Sequence, residues 1–292
     1  MTTPPFGQVL TAMVTPFTAD GTVDLERAAA LADRLVSQGN DGLVVSGTTG
    51  EAPTTHRDEK ADLLRAVVDA VGGRAHVLAG VGSNDTAHAV LMAQDAAKVG
   101  ATGLLSVTPY YSKPPQAGII AHTLAVAEST ELPVMLYDIP GRSGVPLRHE
   151  TLLTLGEHPQ ILAVKDAKDD LVATTRLLAE SDLAVYCGTD ALNLPLLSIG
   201  AVGFVSVISH VVTSQLVAML RAFESGDVAR AAAINLSLER VWTGMFRTQG
   251  AITSKAALAL LGFPVGGHRL PLVAATPAEI AQLEIDLKGF LT

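Results

Sequence analysis

Short apolar runs recur along the chain, beginning near Val9, Leu43, His76, Gly103, Val134, Ile161, Leu183 and Val202. Most follow a breaker: Gly42, Gly73, Gly100, Pro133, Pro159 or Gly200. The runs are continuous rather than alternating, as expected of strands with helices covering their outer side. Between them lie Ala/Leu-rich segments with helical spacing. In 24–38, Leu25, Ala28, Leu31, Ala32 and Leu35 share one face and Gly39 supplies the stop. A second such segment, 86–98, closes at Gly100 with Lys98 in its last turn.

Strands alternating with helices predict parallel βαβ units. Eight of them within about 210 residues predict a closed (β/α)8 TIM barrel, for which ~250 residues is typical. An open doubly wound sheet usually carries a G-x-G-x-x-G or Walker loop after its first strand; this chain has neither. Beyond the eighth strand (202–207), helices are predicted over 213–224, 227–249, 251–261 and 277–290, with breakers at Gly226, Gly250 and Pro264–Gly267. The expected organisation is a barrel of 1–212 carrying the active site and a C-terminal helical extension of 213–292 packed on it.

In such a barrel, chemistry belongs at the C-terminal ends of the strands. The segments that arrive there are GTTGE (47–51), TPYYSKPP (108–115), Tyr137 with DIPGRSG (138–144), and ILAVKDA, which ends on Lys165 and its neighbours. Lys165 closes an apolar run, where a charge is out of place. Alternation puts it on the side of Ala163 and Ile161, facing inward. Desolvation favours the neutral amine, the form that attacks a carbonyl. The alternative is a rim lysine paired with Asp166 or Asp138. GTTGE offers two hydroxyls and several backbone N–H groups, a nest able to hold a carboxylate, or simply a βα loop with a threonine cap. Three of the four tyrosines, Tyr110, Tyr111 and Tyr137, fall in these rim segments. Arg142, between glycines, suits bidentate carboxylate binding or a surface ion pair.

Bulk properties narrow the partners. Hydrophobic residues are 48% and aromatics 4%, so the core is large and aliphatic. A net charge of −9 argues against a nucleic-acid partner. No apolar stretch reaches the ~18 residues of a membrane span. The start, MTTPPFGQVL, lacks the basic region and apolar run of a secretory signal. One cysteine, Cys187, excludes a disulfide within the chain and fits a reducing, cytoplasmic compartment; its expected role is a small buried filler. The eight histidines are dispersed, so no metal site is expected.

GTTGE, VTPYYSKPP, LYDIPGRSG and VKDAKDD, in that order, resemble the dihydrodipicolinate synthase/N-acetylneuraminate lyase family of Schiff-base aldolases. The likeness runs from TAMVTPF (11–17) to RLPLVAATP (269–277). It implies a lyase that joins pyruvate, held as a Schiff base on Lys165, to L-aspartate-4-semialdehyde, with no cofactor beyond that covalent imine. Tyr137 would relay protons through Thr48 to Tyr111, the last supplied by a neighbouring subunit of a homotetramer built as a dimer of dimers. Thr49 and nearby amides would hold the pyruvate carboxylate and Arg142 that of the semialdehyde; the backbones of Val205 and Gly188 would line the site. Thr48–Thr49 and Arg142 favour this substrate over N-acetylneuraminate or a 2-keto-3-deoxy sugar acid. In members inhibited by lysine, the matching allosteric positions here are Ala52, Pro53, Arg57, Lys60 and His88, with Asn84 and Tyr110 retained. A lost carboxylate and two gained cations imply weak or absent inhibition by L-lysine.

Overall fold

The computed structural model describes residues 4–291. Eight parallel strands close in chain order: β1 (Val9–Ala12), β2 (Gly42–Val45), β3 (His76–Gly80), β4 (Gly103–Val107), β5 (Val134–Asp138), β6 (Ile161–Asp166), β7 (Ala184–Cys187) and β8 (Gly203–Ser206). Leu10 of β1 lies beside Val205 of β8, which seals the ring. This is the predicted (β/α)8 barrel, with β7 and β8 each starting one residue later than expected. One face of each strand looks into the barrel and the other lies under helices, so the strands are buried almost throughout; that is why they read as continuous apolar runs.

Local chemistry sets the helix ends. The Asp24 side chain accepts a hydrogen bond from the Arg27 N–H at 2.9 Å and starts helix Leu25–Ser37, whose buried stripe is Ala28, Leu31, Ala32 and Leu35. Asp85 accepts from Ala87 and His88 at the head of Thr86–Val99, and Gly100, at φ +96°, ends that helix. Each cap contributes about 1 kcal/mol.

Two expectations need correction. The pairing of β5 with β6 shifts register between Val134↔Ile161 and Met135↔Ala163, leaving Leu162 as an extra, partly exposed residue. Alternation from Lys165 therefore runs back to Ala163 and is interrupted before Ile161. The single helix expected over 227–249 is two, Val228–Ser237 and Glu239–Met245, followed by a turn. The turn exists because Gln249 bonds the Ala251 N–H at 2.6 Å and so caps the next helix, Gly250–Leu260. Of the remaining helices, Ser209–Glu224 is broken at non-helical Val212, and Pro277–Asp286 stops short of residue 290. The helices after β8 lie against β1, helix Leu25–Ser37 and residues 190–192.

Candidate active site

The last residues of β5 and β6 face each other across the sheet. Tyr137 pairs in register with Lys165, and Asp138 with Asp166. Lys165 is 5% exposed. Its Nζ lies 4.3 Å from the centre of the Tyr137 ring and borders a cavity of about 680 Å³. Gly188, directly after β7, makes room for it: a Cβ there would come within 3.0 Å of Lys165 Cγ and Cε and 2.9 Å of the Asp166 carbonyl. No hydrogen bond or carboxylate within 4 Å engages the Lys165 amine among the described residues.

The carboxylates that could have paired with Lys165 are taken by Lys168. Its Nζ is 3.3 Å from Asp138 Oδ2 and 3.9 Å from Asp166 Oδ2. Asp138 also accepts from the Leu147 N–H, and Asp166 from the Thr174 hydroxyl and the Lys168 N–H. Burial raises the Asp138 carboxyl to about 6 against the pull of Lys168.

GTTGE forms a closed turn. Gly50 N–H and Ala52 N–H donate to the Gly47 carbonyl, and Glu51 N–H donates to Thr48. The amides and hydroxyls of Thr48 and Thr49 have no protein partner among the described residues, and both residues border the large cavity. Arg142 follows β5 in the short helix Pro140–Ser143, exposed and without a carboxylate partner among those residues. The large cavity is completed by Thr189, Val207 and, from the C-terminal helices, Trp242, Thr243, Phe246 and Gln249.

A second cavity, of about 400 Å³, shares the wall made by Thr48, Tyr137, Ile139 and Arg142. It gathers Ala52, Pro53, Arg57, Lys60, His88 and Tyr110. Arg57 is held by Asp95 at 2.5 Å, while Lys60 donates to the Thr55 carbonyl and is pulled below its usual pKa by burial. Asn84 is exposed and borders neither cavity.

Tyr111 also stands apart. It has φ +71°, donates its N–H to the Ser143 carbonyl and leaves its side chain 88% exposed, touching neither cavity of its own chain. Val205 is buried within β8, and Val207 reaches the cavity instead. Cys187 is buried, and burial pushes its thiol well above the usual range, as suits a filler.

An unpaired buried amine, a turn of free N–H groups and an arginine thus surround one cavity. Residues 5–289 match the Dihydrodipicolinate synthetase family. The chain belongs to that family. It is 62% identical over 283 residues to 4-hydroxy-tetrahydrodipicolinate synthase 2 of Streptomyces coelicolor, covering 97% of this chain and 95% of the relative. It is 60% identical to the 4-hydroxy-tetrahydrodipicolinate synthase of Acidothermus cellulolyticus, over 97% and 92% of the two chains. The crystal structure of DHDPS from Cyanidioschyzon merolae with lysine bound superposes with a TM-score of 0.95 at 42% identity, covering 98% of each chain.

Around this cavity, sequence reasoning missed two groups. Lys168 lies in the quoted VKDAKDD, but only the barrel brings Asp138 and Asp166 together beside it. The Trp242–Gln249 wall comes from a segment read as an uninterrupted helix; the one usable signal was Gln249 immediately before the breaker Gly250.

Proposed function

We propose that this chain condenses pyruvate with L-aspartate-4-semialdehyde, as a 4-hydroxy-tetrahydrodipicolinate synthase working through a Schiff base on Lys165. The observation that carries the reading is the Lys165 amine, buried at the cavity wall with no counter-ion, in a cavity also lined by Thr48 and Thr49, whose amides are free. The 62% identity to the Streptomyces coelicolor synthase supports the substrate pair.

The amine adds to C2 of pyruvate, and water leaves to give the imine. Thr49 and the neighbouring N–H groups hold the keto-acid carboxylate. Tyr137, beside Lys165, moves protons to and from the carbinol and imine nitrogen. Loss of a C3 proton gives the enamine, whose C3 attacks the aldehyde while Arg142 holds the second carboxylate. The amino group of the adduct then displaces Lys165 and closes the ring. No cofactor enters this scheme.

Tyr111, exposed and away from its own chain's cavities, serves the site of a neighbouring subunit, linking through Thr48 to Tyr137; a dimer is then the catalytic unit and a homotetramer the assembly. The reading includes a cytoplasmic location. No helix among the described residues is long and apolar enough to cross a membrane. Arg57 and Lys60 in the second cavity repel a cationic amino acid, so L-lysine inhibits weakly or not at all; strong inhibition at micromolar lysine would refute that part.

The decisive assay is the initial rate with both substrates, coupled to an NADPH-dependent reductase, with Lys165→Ala as control. Turnover that vanishes in the variant is expected. A borohydride-trapped pyruvyl adduct without turnover would move the second substrate to a sugar acid. Neither turnover nor adduct would overturn the aldolase reading.

A further inference from the structure

Glu51, the last residue of the GTTGE turn, has no place in the chemistry above. It is nevertheless fully buried and sits at φ +55°, ψ +38°, a conformation side chains rarely adopt. Both its oxygens are held from the C-terminal region. Oε1 lies 2.6 Å from Lys255 Nζ, and Oε2 accepts the Arg269 N–H at 3.1 Å. Lys255, on helix Gly250–Leu260, also donates to the Gly267 carbonyl at 2.5 Å and lies 4.3 Å from the centre of the Phe17 ring. Neither Glu51 nor Lys255 borders the large cavity.

Their neighbours do. Thr48 and Thr49 precede Glu51 in the turn, and Gln249 with Gly250 opens the helix that carries Lys255. The turn has little slack: the Thr15 hydroxyl holds the Gly50 carbonyl at 2.6 Å, and Gly47 accepts from Gly50 and Ala52. Rotating Glu51 out of the left-handed region would therefore re-aim the Thr48 and Thr49 amides. A buried ion pair adds little net stability over apolar residues of equal volume. What it does supply here is a fixed distance between two walls of the cavity.

We infer that Glu51 and Lys255 are positioning residues that hold the Thr48–Thr49 turn, and hence the carboxylate-binding amides, against the C-terminal helix. The inference rests on the proposed role of that turn in binding the keto-acid carboxylate. Its prediction is a split: weaker pyruvate capture with the imine chemistry of Lys165 left intact.

The test is borohydride trapping on Lys165 as a function of pyruvate concentration, in the full-length protein. Lys255→Met, Glu51→Gln and the double variant are compared with wild type, with unfolding midpoints measured alongside. Leu35→Ala, which opens a cavity in helix Leu25–Ser37, serves as a control for general destabilisation. Each single variant is expected to raise half-saturating pyruvate about tenfold or more with full trapping at saturation, while Leu35→Ala leaves it unchanged. The double variant, with no charge left unpaired, recovers the unfolding midpoint but keeps the raised half-saturation. If Lys255→Met does not fold, Glu51→Gln and the double variant still decide the matter. Half-saturation within twofold of wild type in the double variant would overturn the positioning role. No adduct on wild-type Lys165 at any pyruvate concentration would overturn the catalytic reading as well.

Discussion

Lys165 and Lys255 are buried almost equally, 5% and 3% exposed, and each Nζ sits 4.3 Å from an aromatic ring centre, Tyr137 in one case and Phe17 in the other. Their polar surroundings are opposite. Lys255 has the Glu51 carboxylate at 2.6 Å and a backbone carbonyl at 2.5 Å. Burial pulls its pKa down and Glu51 pulls it back up. Lys165 has neither partner and opens onto a cavity. Burial alone thus does not mark a reactive amine. Under the proposed chemistry the missing counter-ion sets Lys165 apart, because a carboxylate such as Glu51 holds an ammonium form that cannot attack.

The comparison predicts a crossed pattern. Lys165→Ala should abolish turnover, by at least about 10⁴-fold, yet change stability by about 1 kcal/mol or less, since no charged partner is stranded. Lys255→Met should do the reverse in rank. Stranding the buried Glu51 carboxylate costs roughly 3–5 kcal/mol, while adduct formation on Lys165 persists. Urea unfolding and borohydride trapping on the same two proteins measure both axes. Equal stability losses would break the contrast.

A smaller change probes the space around the unpaired amine. Gly188→Ala places a Cβ 3.0 Å from two carbons of the Lys165 side chain and 2.9 Å from a backbone carbonyl that cannot move. The lysine must shift, and a misplacement of about 1 Å costs on the order of 10² in rate. Steady-state kcat should fall by that factor, with stability lowered by about 1–3 kcal/mol as the overpacked site adjusts. An unaltered kcat would mean that Lys165 has more freedom than its packing allows.

Much of this arrangement was legible in the residues, for physical reasons that also mark where reading stopped. The strands were visible because both faces of each are buried, leaving uninterrupted apolar runs between glycines and prolines. Lys165 stood out because a charge closes an apolar run, but the residues alone left it open to pairing with Asp166 or Asp138. Which lysine would take Asp138 and Asp166 was not visible: the choice depends on Asp138 and Asp166 standing opposite each other in β5 and β6, with Lys168 close enough to reach both. The wall of Trp242, Thr243, Phe246 and Gln249 was hidden for a similar reason. The turn that creates it comes from a side-chain cap at Gln249, and helical periodicity runs straight through that signal. Asn84 shows the converse, a residue in the expected segment that the fold leaves outside the second cavity.

Outside that pair, Lys168 leads through Asp138 to the smallest net effect, a pair of opposing titrations. Asp138, beside Lys168, has its carboxyl raised to about 6 by burial. In the unfolded chain it titrates near 4, so the folded state binds its proton more tightly. Its contribution is fully present below about pH 4 and is lost as pH rises through 6. His210 works the other way. It is fully buried, with Nδ1 donating to the Val207 carbonyl and Nε2 accepting from the Val14 N–H. Burial lowers its pKa to about 4, so its contribution is present above about 6.5 and lost as pH falls towards 4. Each is worth up to roughly 3 kcal/mol, and over pH 4–6.5 they offset. Asp138→Asn should therefore expose His210: relative to wild type, the variant loses stability on acidification across that window. His210→Gln should show the mirror image. Urea midpoints at several pH values, taken as differences from wild type, separate the two; parallel curves for both variants would mean that neither group titrates in the folded protein.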